Sequence, residues 1–397
     1  MNEKDERQLK TPYFSKLKEY TESKPISLDV PGHKLGRLDN ELLEYAGANI
    51  FKLDANAPRG LDNLSKPKGV IKEAQDLMAE AFGADRAYFL TNGTTQGILA
   101  VIMSVCRANH KILIPRNVHK SVINALILSG AIPIFMKPNI DNSLGIANGI
   151  SVDTVREAIS DNPDAKAIFL INPTYFGVVS NLREIVKIAH EHDMKVIVDE
   201  AHGGHFYFSD KLPLGAIEAG ADLAIVSTHK TIGSMTQSSI ILTKGNRVDH
   251  NRLEATLNIL NSTSPSGILM ASLDVSRKLM YFEGPKKLTK LVEMTKTARD
   301  KINQIPGIEA ITEDYFLKKG EYGADKSRII VKVSDLGITG FDAYNELRDV
   351  YNIQLELAET HLILAVLTIG TTVDDLKGFV LALKKISEKY LKENRDP

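Results

Sequence analysis

The chain has one cysteine, no excess of charge of either sign, no long hydrophobic run and no phosphate loop of the Walker type, and each gap removes a class of protein. With Cys106 alone, an internal disulfide is excluded. It lies in the apolar run "ILAVIMSVC" and reads as a buried structural thiol, not a nucleophile. A formal net charge of -1 and a pI near 6.8 offer no electrostatic reason to expect nucleic acid or an anionic membrane as partner. No stretch approaches the roughly 18 apolar residues of a membrane span. The amino terminus "MNEKDERQLK" is charged from its second residue, unlike a signal peptide. The cytoplasm is the expected compartment and a small molecule the expected partner. No internal repeat or low-complexity segment is present.

What is present is an ordinary globular composition over 397 residues, 43% hydrophobic and 25% charged, long enough for a large core and two domains. Short runs rich in Ile and Val recur: "KILIP" at 111, "IPIFM" at 132, "AIFLIN" at 167, "KVIVDE" at 195, "LAIVS" at 223 and "SIILTK" at 239. Helix-length segments such as "VHKSVINALILSG" and "NLREIVKIAHEHD" lie between several of them. Near-continuous apolar strands alternating with amphipathic helices predict an α/β domain with a mostly parallel sheet over residues 61–285. After "EGPKK" the surface charge rises and strand and helix patterns alternate through "RIIVKVSD", a helix near 341–349, "LILAVLTIG" and a closing helix. A smaller α+β domain over 286–397 is predicted, with residues 1–60 as an arm.

Three constellations could carry chemistry. In "FLTNGTTQGILAVIMSV" a strand end runs through Asn92, Gly93, Thr94 and Thr95 into an apolar helix. That is either a phosphate site of free amides and hydroxyls or a helix start capped by a threonine. In "KVIVDEAHGGHF" an apolar strand ends in Asp199, with His202 and His205 behind it. The D-E-A-H letters suggest a helicase, but a nucleotide-driven motor needs the missing G-x-x-x-x-G-K-[ST] loop and a basic surface. A carboxylate with two histidines also suits a metal, though a His-x-x-His pair is weak support and no metal is expected. His190 and His192 read as solvated. In "VSTHKTIGSMTQSS", Lys230 follows another strand. An exposed lysine is the ordinary case; a desolvated one loses basicity and can attack an aldehyde. The order along the chain favours the second: phosphate cradle, strand-ending Asp199, then Lys230 about 30 residues later. Pyridoxal phosphate chemistry needs that order, with a carboxylate on the ring nitrogen and a lysine forming an imine.

With these segments identified, the chain resembles fold type I pyridoxal phosphate enzymes. More closely, it is similar to the ornithine/lysine/arginine decarboxylase family in its shorter form without an N-terminal wing domain. The resemblance rests on "PGHKLG" (31–36), "GLDNLSKPKGVIKEAQ" (60–75), "NGTTQG" (92–97), "IPRNVHKSV" (114–122), "INPTYFGVVSNL" (171–182), "VDEAHGGHFYF" (198–208) and "STHKTIGSMTQSS" (227–239). It implies that Lys230 forms the imine, Asp199 pairs with the pyridine nitrogen and His119 stacks on the cofactor face. It implies Gly93, Thr94, Thr95, Ser227 and His229 as phosphate ligands and Ala201 and His202 beside the ring. It further implies a homodimer with its site at the subunit interface, the Gln237 region reaching a neighbouring subunit.

The expected reaction is decarboxylation of a basic amino acid, arginine or lysine before ornithine, with His119, His202 or Lys230 returning the proton to Cα. Asp54, Asp62 and Asn63 are available for the substrate's distal cation. The family is expected to continue into a further C-terminal domain that these residues do not include. An aminotransferase or lyase is the alternative, with Arg328 in "KSRIIVKV" as a carboxylate ligand; a non-catalytic relative that binds the cofactor is a third.

Overall fold

The computed structural model describes residues 2–58 and 60–393. The apolar runs form strands β1 (Arg86–Leu90), β2 (Lys111–Pro115), β3 (Ile132–Met136), β4 (Ala167–Ile171), β5 (Lys195–Asp199), β6 (Leu223–Val226) and β7 (Ser239–Thr243). They make one sheet in the order β1-β7-β6-β5-β4-β2-β3. The five strands from β6 to β3 are parallel, and β7 runs antiparallel to both β6 and β1. The central strands β4 to β7 are buried almost throughout, which is why their sequences are continuously apolar instead of alternating. Pro133 falls in the edge strand β3, where a missing N–H costs least.

Helices α1 (Pro12–Glu22), α2 (Val70–Phe82), α3 (Gly93–Val105), α4 (Lys120–Ser129) and α5 (Leu182–Glu191) precede or connect these strands. Helix α3 lies tightly on the sheet because residue 97 is glycine: a Cβ there would come within 2.7 Å of Ile225 and Leu90. Cys106, at its end, is buried, and burial pushes its thiol up to about 11. His190 on α5 is not solvated as the sequence suggests. Its Nε2 lies 2.9 Å from the buried Asp222, which also accepts the Val196 N–H.

A second, antiparallel sheet has strands β8 (Glu309–Ile311), β9 (Arg328–Lys332), β10 (Leu357–Ala358) and β11 (Leu362–Val366) in the order β8-β9-β11-β10. Helix α6 (Gly267–Ile302) runs without interruption through Pro285, where the sequence composition changes. It packs on both α1 and the last helix, α7 (Val373–Glu393). A short antiparallel pairing of Val178–Val179 with Gly323–Ala324 ties the loop after β4 to the second sheet.

Residues 2–22 are anchored by one buried pair on α6. Arg277, fully buried, donates to the Gln8 carbonyl at 2.6 Å, to the Lys10 carbonyl and to Asp274 at 3.0 Å. The other Asp274 oxygen accepts the Tyr13 and Phe14 amides, capping α1 where Thr11 makes no side-chain cap. Residues 26–45 differ: Ile26, Leu28, Val30, Leu38, Leu42 and Tyr45 are exposed.

Removing one member of a buried ion pair strands the other. Asp274→Ala should therefore lower the unfolding free energy by about 3–5 kcal/mol, read as a shift in urea midpoint at unchanged slope. Lys296→Ala, which breaks an exposed pair with Asp300, should cost less than about 1 kcal/mol.

Candidate active site

Parallel strands place their carboxyl ends on one edge of a sheet, and ligand sites of open α/β folds form there. The loops after β1, β2, β4, β5 and β6 carry Gly93, His119, Pro173, Asp199 and Lys230 to that edge. A cavity of about 320 Å³ opens between them, and its walls include Thr94, His119, Asp199, Ala201, His202 and Lys230. Six of the expected site residues thus share one space. Gly93, Thr95, Ser227 and His229 stand off its walls.

The start of α3 is uncapped by any side chain. Gly93 has φ +72°, a conformation that favours glycine, and its N–H donates to the Gln237 carbonyl of the same chain at 2.8 Å. The amides of Thr94 and Thr95 remain, without intrahelical acceptors by helix geometry. The Thr94 hydroxyl meets Ser227 at 3.1 Å, joining this helix start to the end of β6. His229 Nδ1 donates to the Ser238 carbonyl at 2.8 Å, so its other nitrogen is the one available. His119 caps α4, its Nδ1 accepting the Ser121 N–H at 3.3 Å.

Asp199 is buried at the end of β5, and Oδ1 accepts the Ala201 N–H at 3.1 Å. Burial pushes its carboxyl above the ordinary value, against the Ala201 amide and the charges of Lys230 and His119. Lys230, half-buried in a one-turn helix after β6, is held below the ordinary lysine value by burial; Arg328 acts the same way, while Asp199 and Glu356 oppose. Its Nζ lies 3.0 Å from His202 Nε2. Burial, then Arg328 and Lys230, hold His202 well below the usual imidazole range.

Three residues of the site carried no expectation or a different one. Tyr175 packs its ring 4.5 Å from His202 and donates its hydroxyl to Glu356, a residue of the second sheet's loop that no local motif marks. Arg328 does not line the cavity as a carboxylate ligand would; it sits behind His202, bonded to Asp325 and to the His202 ring. Asp199, His202 and His205 do not converge on a metal, since His205 turns to Asp325 and Ser327 at 3.1 Å each.

The acidic candidates for the distal cation are engaged elsewhere. Asp62 accepts the amides of Asn63, Lys68, Gly69, Ile71 and Lys72, closing the loop before α2. Asn63 accepts the Ser65 N–H, and Asp54 pairs with His33 at 3.2 Å.

The class of fold defined by this sheet is that of the fold type I pyridoxal phosphate enzymes. A lysine decarboxylase from Francisella novicida superposes with a TM-score of 0.85 at 22% identity, covering 96% of this chain and 60% of that one. The Sphingomonas wittichii serine palmitoyltransferase matches at 0.67 and 15%, covering 90% and 86%. Within that class, the Orn/Lys/Arg decarboxylase major domain matches residues 11–319, and the chain belongs to that family. It is 42% identical to an arginine decarboxylase of Bacillus subtilis, covering 98% of this chain and 79% of the relative. To one of Bacillus cereus it is 44% identical, covering 96% and 84%.

Beside Asp199, the buried Glu200 accepts the Tyr207 hydroxyl and the Ala216 N–H, and burial pushes its carboxyl from 4.5 up to about 8. A folded-state value above the unfolded one means stability present below about pH 4.5 and lost as pH rises through about 8. Urea unfolding should show a steeper loss between these limits in the native protein than in Glu200→Gln, whose side chain does not titrate.

Proposed function

We propose that this protein decarboxylates a basic amino acid, arginine or lysine before ornithine, to the corresponding amine, with pyridoxal phosphate as cofactor, in the cytoplasm. The observation that carries the reading is the convergence of a partly desolvated lysine and a buried carboxylate, from two adjacent parallel strands, on one cavity beside an uncapped helix start. The family implies the cofactor, and the donor set fits it. Lys230 would hold its aldehyde carbon, Asp199 its ring nitrogen, and Thr94, Thr95, Gly93, Ser227 and His229 its phosphate. His119, Ala201 and His202 would flank the ring. When bound, the cofactor supplies an electron sink for the pair released as the Cα–carboxylate bond breaks.

The chain's own groups do the rest. Asp199, buried at the end of β5, would hold a proton at the ring nitrogen of the bound cofactor. Lys230 presents an amine whose reduced basicity leaves more of it free at neutral pH. The proton returned to Cα comes from His119, His202 or Lys230, all three on the cavity wall. Tyr175 narrows the cavity against His202 and holds Glu356, whose carboxylate stands one hydrogen bond from the wall. That carboxylate is the partner the substrate's distal cation needs.

Incubation with arginine, lysine and ornithine should release carbon dioxide and amine in equal amounts, without keto acid. Keto acid without carbon dioxide would point to an aminotransferase instead. Lys230→Ala should bring product to background. Glu356→Gln should lower kcat/KM about 10- to 150-fold, the loss of one charged hydrogen bond of about 1.5–3 kcal/mol, mostly through KM.

The protein works as a homodimer whose interface closes the site, the Gln237 loop reaching toward the neighbouring subunit. Exposed apolar side chains gathered between residues 26 and 45 support this, since monomers rarely leave such patches uncovered. Light scattering on the eluting protein should give twice the 43.8 kDa chain mass, and Leu28→Glu with Leu42→Glu should reduce it toward one.

A further inference from the structure

A line of buried polar side chains runs from the second sheet to Lys230. Asp325 Oδ1 accepts the Ser327 N–H at 2.9 Å and its hydroxyl at 2.7 Å. Asp325 Oδ2 faces His205 Nε2 at 3.1 Å and Arg328 Nε at 3.3 Å. Arg328 Nη2 then reaches His202, 3.0 Å from Nδ1 and 3.2 Å from the carbonyl oxygen. His202 Nε2 ends the line at Lys230 Nζ. Asp325, Ser327, Arg328, His205 and His202 are all buried.

The donors settle where the protons are. A guanidinium has N–H groups and no acceptor. Nδ1 of His202 therefore accepts, and the single proton of the neutral ring sits on Nε2. The group 3.0 Å beyond must then supply a lone pair, which only an uncharged amine has. An ammonium at Lys230 would set N–H against N–H.

We propose that Arg328 is a positioning residue which, through His202, holds Lys230 as a free amine. The inference rests on the reading of Lys230 as the imine-forming residue, for which the free amine is the reactive form. The other groups around Lys230 do not give this result. Asp199 from β5 and Glu356 from the loop before β10 both favour its charged form. Tyr175 offers a ring face 5.8 Å away, and His119 stands across the cavity beside Asp199. His205 and Asp325 act only behind Arg328. Burial of the amine and Arg328 oppose the two carboxylates. Arg328 belongs to β9 and Lys230 follows β6, so the contact lasts only while the two sheets are docked.

The test uses the full chain freed of cofactor. Nitrogen-15 spectra of its imidazoles should show His202 with a bare Nδ1 and a protonated Nε2. Trace acetylation with acetic anhydride, read by mass spectrometry across pH, should give Lys230 a midpoint below that of the exposed lysines. In Arg328→Met the fixed tautomer should be lost and the Lys230 midpoint should rise by about one pH unit, about tenfold less free amine at pH 7. Arg328→Lys, which keeps a donor, should fall between. Two results overturn the proposal: a protonated Nδ1 in the native protein, which needs no variant to fold, or an unchanged Lys230 midpoint in a folded Arg328→Met. No substrate is present in these measurements, so they can succeed in a protein that turns over no basic amino acid and fail in an active decarboxylase.

Discussion

The site depends on the parallel pairing of β5 with β6, in the register that sets Asp199 against Ile225. Two strands pointing the same way end at the same edge, so a carboxylate ending one and a lysine just after the other must meet across a short gap. Were the pairing antiparallel, the same residues would lie at opposite ends of the sheet. The antiparallel strand β7 keeps this arrangement. It lets β1 share the direction of β6, so that the start of α3 arrives at the same edge with Thr94 on the cavity wall.

Burial then acts on both groups at once. It pushes the Asp199 carboxyl up and the Lys230 amine down, each toward its neutral form, while their mutual attraction pulls the other way. A third charge decides between these tendencies. Arg328, held by Asp325, brings a permanent cation up behind His202, and the ring passes its effect on to Lys230. The second sheet thus reaches the surroundings of Lys230 although only the first sheet carries that lysine.

Much of this was legible along the chain. "AIFLIN", "KVIVDE" and "LAIVS" announced buried parallel strands because a strand covered on both faces has no polar side to alternate. "NGTTQG" announced a helix start, although the structure assigns the Gly93 amide to Gln237 and leaves its neighbours free. The ordered positions of Thr94, Asp199 and Lys230 pointed to one site because strand ends in such a sheet share an edge. Local cues misled where the partner was distant. His190 sits among polar residues in the sequence yet meets a buried aspartate, and Asp62 looked free for a ligand while it serves five amides of its own loop.

What the sequence by itself determined is the set of elements and the residue types at their ends, because periodicity, strand composition and turn residues act over a few positions. What only the tertiary structure decided is which of those ends face one another. Arg328 and Glu356 come from a separate sheet, with no spacing rule linking them to Lys230. Their roles exist only because α6 and the pairing of Val178–Val179 with Gly323–Ala324 hold that sheet against the cavity. The protonation state of Lys230 is of the same kind: a lysine's charge follows from desolvation and from donors within about 3 Å, and packing alone supplies both.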